Sequence, residues 1–242
     1  MRGRVSNQRA RLTRLEPTMQ HFRALIFDCD GVLVNSEEIV QDIELALLAE
    51  HGLEYDRDDF SRRFLGTSNE HFYAGLNADS MERLGHPLAD TFGDELKARA
   101  REKFNANLRA FDGVHEVADA WWGKRAVASS SSVEGLEYKL KLTGLDALFY
   151  PHVYSAEHVG KSKPHPDIYL HAASGVATHP ELCIAVEDSI NGVVSAKAAG
   201  MYTVGFTGGA HCRDGHDDSL SEAGADLVVE SLLDLACFLG DA

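Results

Sequence analysis

The chain has 242 residues, 44% of them hydrophobic and 25% charged. That balance excludes a disordered, collagenous or disulfide-stapled protein and suits one large domain or a domain carrying an insert. Asp and Glu outnumber Lys and Arg by 38 to 23, a formal charge of −15, and a surface this acidic repels nucleic acid and anionic lipid unless a basic patch is set apart.

Residues 1–20 run against that trend. They hold Arg2, Arg4, Arg9, Arg11 and Arg14 against Glu16, a net +4, so the remaining residues carry −19. The segment has no apolar centre of the secretory kind and is read as a disordered basic tail, with an Arg-rich targeting peptide or a binding arm as alternatives. FRALIFD (22–28) is a short apolar run ending in acid and predicts a buried parallel strand. Ser36 is expected as a helix N-cap, with Glu37 and Glu38 in the first turn. Ile39, Ile43 and Leu47 then repeat at helical spacing, and Gly52 stands where that helix should stop. From there to about residue 110 the pattern is helical. Phe72, Leu76 and Met81 mark one stretch, and Leu96, Ala100 and Phe104 another.

After Gly113 short strands are expected at RAVAS (125–129), HVYS (152–155), LCIAVED (182–188), MYTVGF (201–206) and ADLVV (225–229). Helices are expected at 133–142, 166–174, 189–199 and 231–239. This alternation predicts an α/β fold with a Rossmann-like, doubly wound parallel sheet, and the helical block at 37–108 reads as a separate lobe inserted after the first strand. No apolar run approaches the roughly 18 residues of a membrane helix. The four cysteines, Cys29, Cys183, Cys212 and Cys237, are far apart and read as reduced thiols, which points to a cytoplasmic protein.

In open α/β sheets ligands bind beyond the carboxyl ends of the strands. Asp28 and Asp30 follow the first strand, Ser129 and Ser130 the second, Glu187 and Asp188 the fourth, and Lys163 lies in the loop after the third. Four carboxylates at one rim repel one another unless a cation sits among them, and an all-oxygen set favours Mg²⁺. Lys163 and Ser129 then remain to hold an anion such as phosphate. A carboxylate can act as a covalent nucleophile, and a second one two residues on can protonate the leaving oxygen and then activate water. Each group has a plainer reading. Asp-x-Asp can be turn chemistry, Lys163 a solvated loop lysine, Ser129 a helix cap, and Glu187-Asp188 a favourable charge at a helix start.

Taken together, FDCDGVLVNSE (27–37), Ser129 of AVASS, Lys163 of GKSKPHPDIYL and AVEDSINGVVSAKAAGM (185–201) resemble the four motifs of the haloacid dehalogenase-like hydrolases. The resemblance spans residues 22–240. It implies a core of residues 21–36 and 109–242 with a helical cap over 37–108. It implies Asp28 as nucleophile and Asp30 as general acid/base, with Ser129, Ser130 and Lys163 holding the phosphoryl group. Mg²⁺ would be ligated by Asp28, the Asp30 carbonyl and Asp188, with Glu187 as a further ligand.

Asp30 separates the chain from the dehalogenase members, which lack that acid, and cation-pumping members carry Lys-Thr after the nucleophile. The motifs and helical cap resemble the branch of β-phosphoglucomutase and small sugar phosphatases, in particular 6-phosphogluconate phosphatase-type enzymes. Mutases of that branch carry basic residues around a Gly-x-Ser in the cap and a His in the first cap helix. Here Leu65 and Asn69 of FLGTSNE (64–70) and Val40 occupy those positions. A mutase must grip a second phosphate, so a Mg²⁺-dependent phosphatase of a small phosphorylated sugar or sugar acid is expected. A hexose-phosphate mutase is the alternative, with Arg62, Arg63 or Lys103 as substitute cations. A receiver-type signalling module is disfavoured, being shorter and without a cap. The expected partner is a small phosphorylated metabolite, not nucleic acid or membrane, and the expected state is a monomer or weak homodimer. His211, Cys212 and His216 in TGGAHCRDGHD are read as a loop near the site rather than a metal centre. Trp121 and Trp122 are expected to pack a helix against the sheet or cap.

Overall fold

The computed structural model describes residues 21–64, 67 and 69–240. The expected basic tail, Leu65 and the Asn69 side chain lie outside the described residues. In chain order the elements are β1 (Ala24–Phe27), α1 (Ser36–Glu50), α2 (Arg57–Phe64), α3 (Asn69–Leu84), α4 (Phe92–Asn107), α5 (Val114–Ala120), β2 (Lys124–Ser129), α6 (Val133–Thr143), α7 (Asp146–Phe149) and β3 (Val153–Ser155). There follow α8 (Asp167–Gly175), β4 (Cys183–Glu187), α9 (Ile190–Ala198), β5 (Tyr202–Phe206), α10 (His216–Glu222), β6 (Leu227–Val229) and α11 (Leu232–Gly240). The strands form one sheet in the order β3-β2-β1-β4-β5-β6, every pair parallel. The order reverses between β1 and β4, and that crevice is where a doubly wound sheet presents its ligand site.

Residues of β1 are buried throughout, as a strand covered on both faces requires. Leu25 and Phe27 point to one face, with Val127, Ile184 and Val204. Ala24 and Ile26 point to the other, where Ala126, Ala128 and Ala185 meet Ala172 of α8 and Ala196 of α9. Small residues there let the two helices lie close to the sheet. Full burial of a Leu or Phe contributes about 1.5–3 kcal/mol, so the bulky face carries more of the stability.

Helices α1–α4 form an insertion between β1 and α5. The chain leaves and re-enters side by side, with Asn35 N–H donating to the Arg109 carbonyl (3.1 Å) and Phe111 N–H to that of Leu33 (3.0 Å). α1 buries Ile39, Ile43 and Leu47 as the periodicity predicts. It ends at Gly52, whose φ of +85° suits glycine, and Leu53 N–H reaches back to the Leu48 carbonyl (2.8 Å). Its start differs from expectation. Asn35 is the N-cap and makes no side-chain capping bond; its Oδ1 accepts from Arg109 N–H instead (2.8 Å). Ser36 lies inside the helix and donates to Asp30 (2.5 Å), so a tertiary acceptor replaced the local one. In α3, Phe72 and Leu76 are buried but Met81 is 52% exposed, because residue 81 falls off the stripe that 72 and 76 define. Trp121 is buried and donates to the Lys124 carbonyl (3.0 Å). Trp122 stacks on it from outside, 65% exposed, with the Arg23 guanidinium above its ring, so only the first of the pair packs as expected. No helix among the described residues is long and apolar enough to cross a membrane.

Candidate functional site

Register places the key groups at one level. Phe27 pairs with Val127 on one side and Val186 on the other, so Asp28 emerges beside Glu187, and Ser129 ends the neighbouring strand. Asp28 N–H extends the ladder to the Val186 carbonyl (2.9 Å), after which Leu33 and Val34 N–H both turn back onto the Cys29 carbonyl (3.0 and 3.1 Å). Gly31 makes this turn possible. Its φ is +78°, and a Cβ there would lie 1.9 Å from Oδ2 of Asp188, so a side chain would be strained and would strike the acid from β4.

Lys163, far from a solvated loop lysine, is buried and joins two strands. Its Nζ is 2.6 Å from Oδ1 of Asp28 and 2.5 Å from Oε1 of Glu187, and 5.1 Å from the centre of the Tyr169 ring. Glu187 is wholly buried, receives the Tyr169 hydroxyl at 2.6 Å and the Ser189 hydroxyl at 3.2 Å. Gly192 in α9 is packed so closely that its Cβ would fall 1.9 Å from the Glu187 carboxyl. Burial, followed by the charges of Glu187, Asp188 and Asp30, pushes the Asp28 carboxyl well above its ordinary value despite Lys163.

Asp30 has different company. Its carboxylate is paired with Lys139 from α6 and accepts hydroxyls from Ser36 (2.5 Å), Ser131 (2.8 Å) and Ser129 (3.3 Å). Burial alone would raise its pKa, but the Lys139 charge and these hydrogen bonds bring it down to about 2. Ser130 is exposed, while Ser131 also accepts from Lys139 (2.8 Å). Glu37, in the first turn of α1, is raised to about 7 by burial and by Asp30 and Asp188.

Asp188 is held by the loop after β5. His211, 3% exposed, places Nε2 2.7 Å from Oδ2 of Asp188, and His216 Nε2 lies 2.6 Å from the Asp188 carbonyl oxygen. Burial opposes a charge on His211, but its bonds to Asp188 and Cys212 hold the imidazolium up to about 11. The loop expected near the site is thus packed against it.

Asp28, Glu187 and Asp188 each offer a carboxylate oxygen within 4.8 Å of the others. Lys163 pairs with two of these buried acids, Asp28 and Glu187, and His211 with the third, and all three carboxylates offer hard oxygens. That donor set fits a small divalent cation such as Mg²⁺. Chemically the crevice joins a buried carboxylate, a second carboxylate two residues on, a set of acids that could hold a cation, and a buried lysine. Sequence reasoning missed Lys139, Ser131 and Tyr169. Lys139 lies ten residues past Ser129 on a helix, and nothing in its spacing signals that it turns inward. Tyr169 stood inside the GKSKPHPDIYL motif, but nothing in the sequence shows that its hydroxyl reaches Glu187.

A family model described as haloacid dehalogenase-like hydrolase matches residues 22–200. The 6-phosphogluconate phosphatase of Escherichia coli (strain K12) is 28% identical over 200 residues, covering 82% of this chain and 86% of that protein. Hexitol phosphatase B of the same organism is 31% identical over 198 residues, covering 77% and 84%. The crystal structure of a conserved haloacid dehalogenase-like protein of unknown function from Agrobacterium tumefaciens superposes with a TM-score of 0.82 at 35% identity, covering 91% of this chain and 98% of that one.

Proposed function

The chain belongs to the haloacid dehalogenase-like hydrolase family, and on that premise we propose that it is a Mg²⁺-dependent phosphatase of a small phosphorylated sugar or sugar acid, acting through an aspartyl-phosphate on Asp28. The observation that carries this reading is the buried set of Asp28, Glu187 and Asp188 within 4.8 Å of one another, the first two of them tied by Lys163. The similarity to sugar phosphatases supports the substrate class. In this reading residues 21–36 and 109–242 form the catalytic core, and 37–108 a cap that selects the substrate.

Asp28, the Asp30 carbonyl and Asp188 would hold Mg²⁺, with Glu187 beside them. When bound, the ion offsets the negative charge of the acids and of the phosphoryl oxygens. Lys163 is placed to swing from its two carboxylates to the incoming phosphate, with the Ser129 hydroxyl and Ser130 on the other side. A carboxylate oxygen of Asp28 attacks phosphorus as the sugar oxygen departs. Asp30, as found, is in its basic form on Lys139, ready to take a proton from the water that later hydrolyses the aspartyl-phosphate. To protonate the leaving oxygen first, it must gain a proton and part from Lys139 in the substrate complex.

The cap supports hydrolysis over phosphoryl return. Val40 on α1 brings no charge. Arg63 is already bidentate on Asp79 (2.6 and 2.7 Å), Arg62 is paired with Asp59, and Lys103 lines a groove between α1 and α4. A panel of sugar and sugar-acid phosphates, including 6-phosphogluconate and hexitol phosphates, tests the proposal. At least one should release inorganic phosphate with Mg²⁺ and none after chelation, while glucose 1-phosphate with a bisphosphate primer yields no glucose 6-phosphate. Primer-dependent interconversion of hexose phosphates without net phosphate release would replace the phosphatase with a mutase.

A further inference from the structure

Helix α1 has three faces. Ile39, Ile43 and Leu47 are buried in the cap, and Glu38, Asp42 and Ala46 line the groove beside α4. Glu37, Val40 and Glu44, three and four residues apart, make the third face and are half-buried. The first turn is fixed at the catalytic crevice, because Ser36 donates to Asp30 (2.5 Å), and Glu37 lies within reach of the charges of Asp30, Asp188, His211 and Lys139. Glu44 stands on the same face seven residues on, about 10 Å along the helix axis. It therefore meets the part of a substrate that extends from the phosphate into the cap.

The fold itself makes no use of the Glu44 carboxyl. Among the described residues neither a hydrogen bond nor an ion pair reaches it. Glu37 is the charge that acts on it, and the Tyr73 phenol of α3 lies close enough to feel it. Gln41, by contrast, is engaged with Ser61 (2.7 Å) and Arg57 (3.1 Å). Burial pushes the Glu44 carboxyl up to about 8, and a shielded polar group without a partner is one that a ligand's hydrogen bonds can satisfy. Positive charge is missing from this face. Helix α1 carries no Lys or Arg. Arg57, Arg62, Arg63 and Arg99 of the cap are paired with Asp42, Asp59, Asp79 and Glu50, and Lys103 lies on the α4 side of the helix.

We propose that Glu44 selects the substrate: its carboxyl binds hydroxyls at the end remote from the phosphate, so the crevice takes an uncharged sugar or polyol phosphate and rejects one whose far end is a second anion. In either protonation state the carboxyl offers an acceptor oxygen to a hydroxyl and brings no positive charge. An anionic end would enter a shielded place with no counter-charge. This rests on the phosphatase reading, with the sugar acids removed from its substrate class.

Glucitol 6-phosphate and 6-phosphogluconate test it, since they differ at the far carbon alone, a hydroxymethyl in one and a carboxylate in the other. With the full chain and Mg²⁺, kcat/KM should favour glucitol 6-phosphate by about 100-fold, and that ester should raise Tm more. Glu44→Ala should raise KM for glucitol 6-phosphate about tenfold and leave kcat within about twofold. Glu44→Gln, which keeps an acceptor and a donor, should bring KM back to within about threefold of the unaltered value. Glu44→Lys should reverse the preference by pairing with the carboxylate of 6-phosphogluconate. Equal kcat/KM and equal Tm rise for the two esters in the unaltered protein, an unchanged KM in Glu44→Ala, a Glu44→Gln no better than Glu44→Ala, or an unchanged preference in Glu44→Lys would overturn the proposal. So would the absence of a Tm rise with either ester, and phosphate release from other sugar phosphates would then leave the phosphatase reading standing. A larger Tm rise with glucitol 6-phosphate, without hydrolysis of any ester, would overturn the phosphatase reading and keep the selectivity of Glu44.

Discussion

Asp28 and Asp30 stand two residues apart, and each faces a buried lysine, Lys163 or Lys139. Around Asp28 the remaining neighbours are acids, Glu187 and Asp188, and burial with their charge raises its pKa. Around Asp30 they are the hydroxyls of Ser36, Ser129 and Ser131, and its pKa falls to about 2. Lys163 has a second carboxylate in Glu187, whereas Asp30 is the carboxylate that Lys139 meets. A lysine–aspartate pair thus has no fixed meaning. The groups behind it decide whether the acid is left short of compensating charge, and so ready for a cation, or fully compensated and held as a base.

The same substitution at the two positions should separate them most sharply. Asp28→Asn should lower phosphate release by about four orders of magnitude or more, as removal of a nucleophile does. Its folding stability should hold within about 1 kcal/mol, because Lys163 keeps Glu187 and one crowded charge is gone. Asp30→Asn should cost about 3–5 kcal/mol of stability by stranding Lys139, and lower turnover by about 10²–10⁴. Rates of phosphate release and denaturant unfolding of both variants check this. A stable Asp30→Asn beside a collapsed Asp28→Asn would reverse the comparison.

Metal linkage gives the next largest effect. Mg²⁺ should raise the Tm of the unaltered protein, and at a concentration 100 times its Kd the gain should be about 2.7 kcal/mol. Asp188→Ala should weaken Mg²⁺ binding by one or more orders of magnitude, since a ligand is lost among acids that still repel. Calorimetric titration with Mg²⁺ reads both. Activity that survives thorough chelation would break the assignment of this acidic side as a cation site.

The smallest effect is a difference of sign with pH in metal-free protein. The Asp30 carboxyl falls from an ordinary 3.8 to about 2. It contributes stability above about pH 4, worth about 2 kcal/mol, which is lost as pH falls toward 2. Asp28 is shifted the other way. Its contribution is full below its unfolded value and is lost as pH rises through the raised one. Unfolding in chelator across pH 2–7 should therefore show Asp28→Asn losing the decline at higher pH and Asp30→Asn losing the acid limb. Identical profiles for both would show that the two environments do not differ as described.

The sequence by itself determined the parallel sheet, its order of elements and the convergence of Asp28, Asp30, Ser129, Lys163, Glu187 and Asp188. Fully apolar strand runs alternating with helical periods admit few other folds, and each polar group sits at a strand end or in the loop beyond one. What each group does once there was decided by the tertiary structure. Ser36 looked like a helix cap because capping is local, yet it serves Asp30, six residues back, across a turn that Gly31 makes possible. Lys139 looked like one more charge on a helix, and only packing of α6 against the crevice carries it to Asp30. His211 and His216 lay in a loop with no periodicity to orient them, and the fold of that loop over β4 set both on Asp188. Strand ends can be read from short-range pattern, but a side chain's partner depends on elements tens of residues away. That is why Lys139, 109 residues from Asp30, had no signature in the sequence.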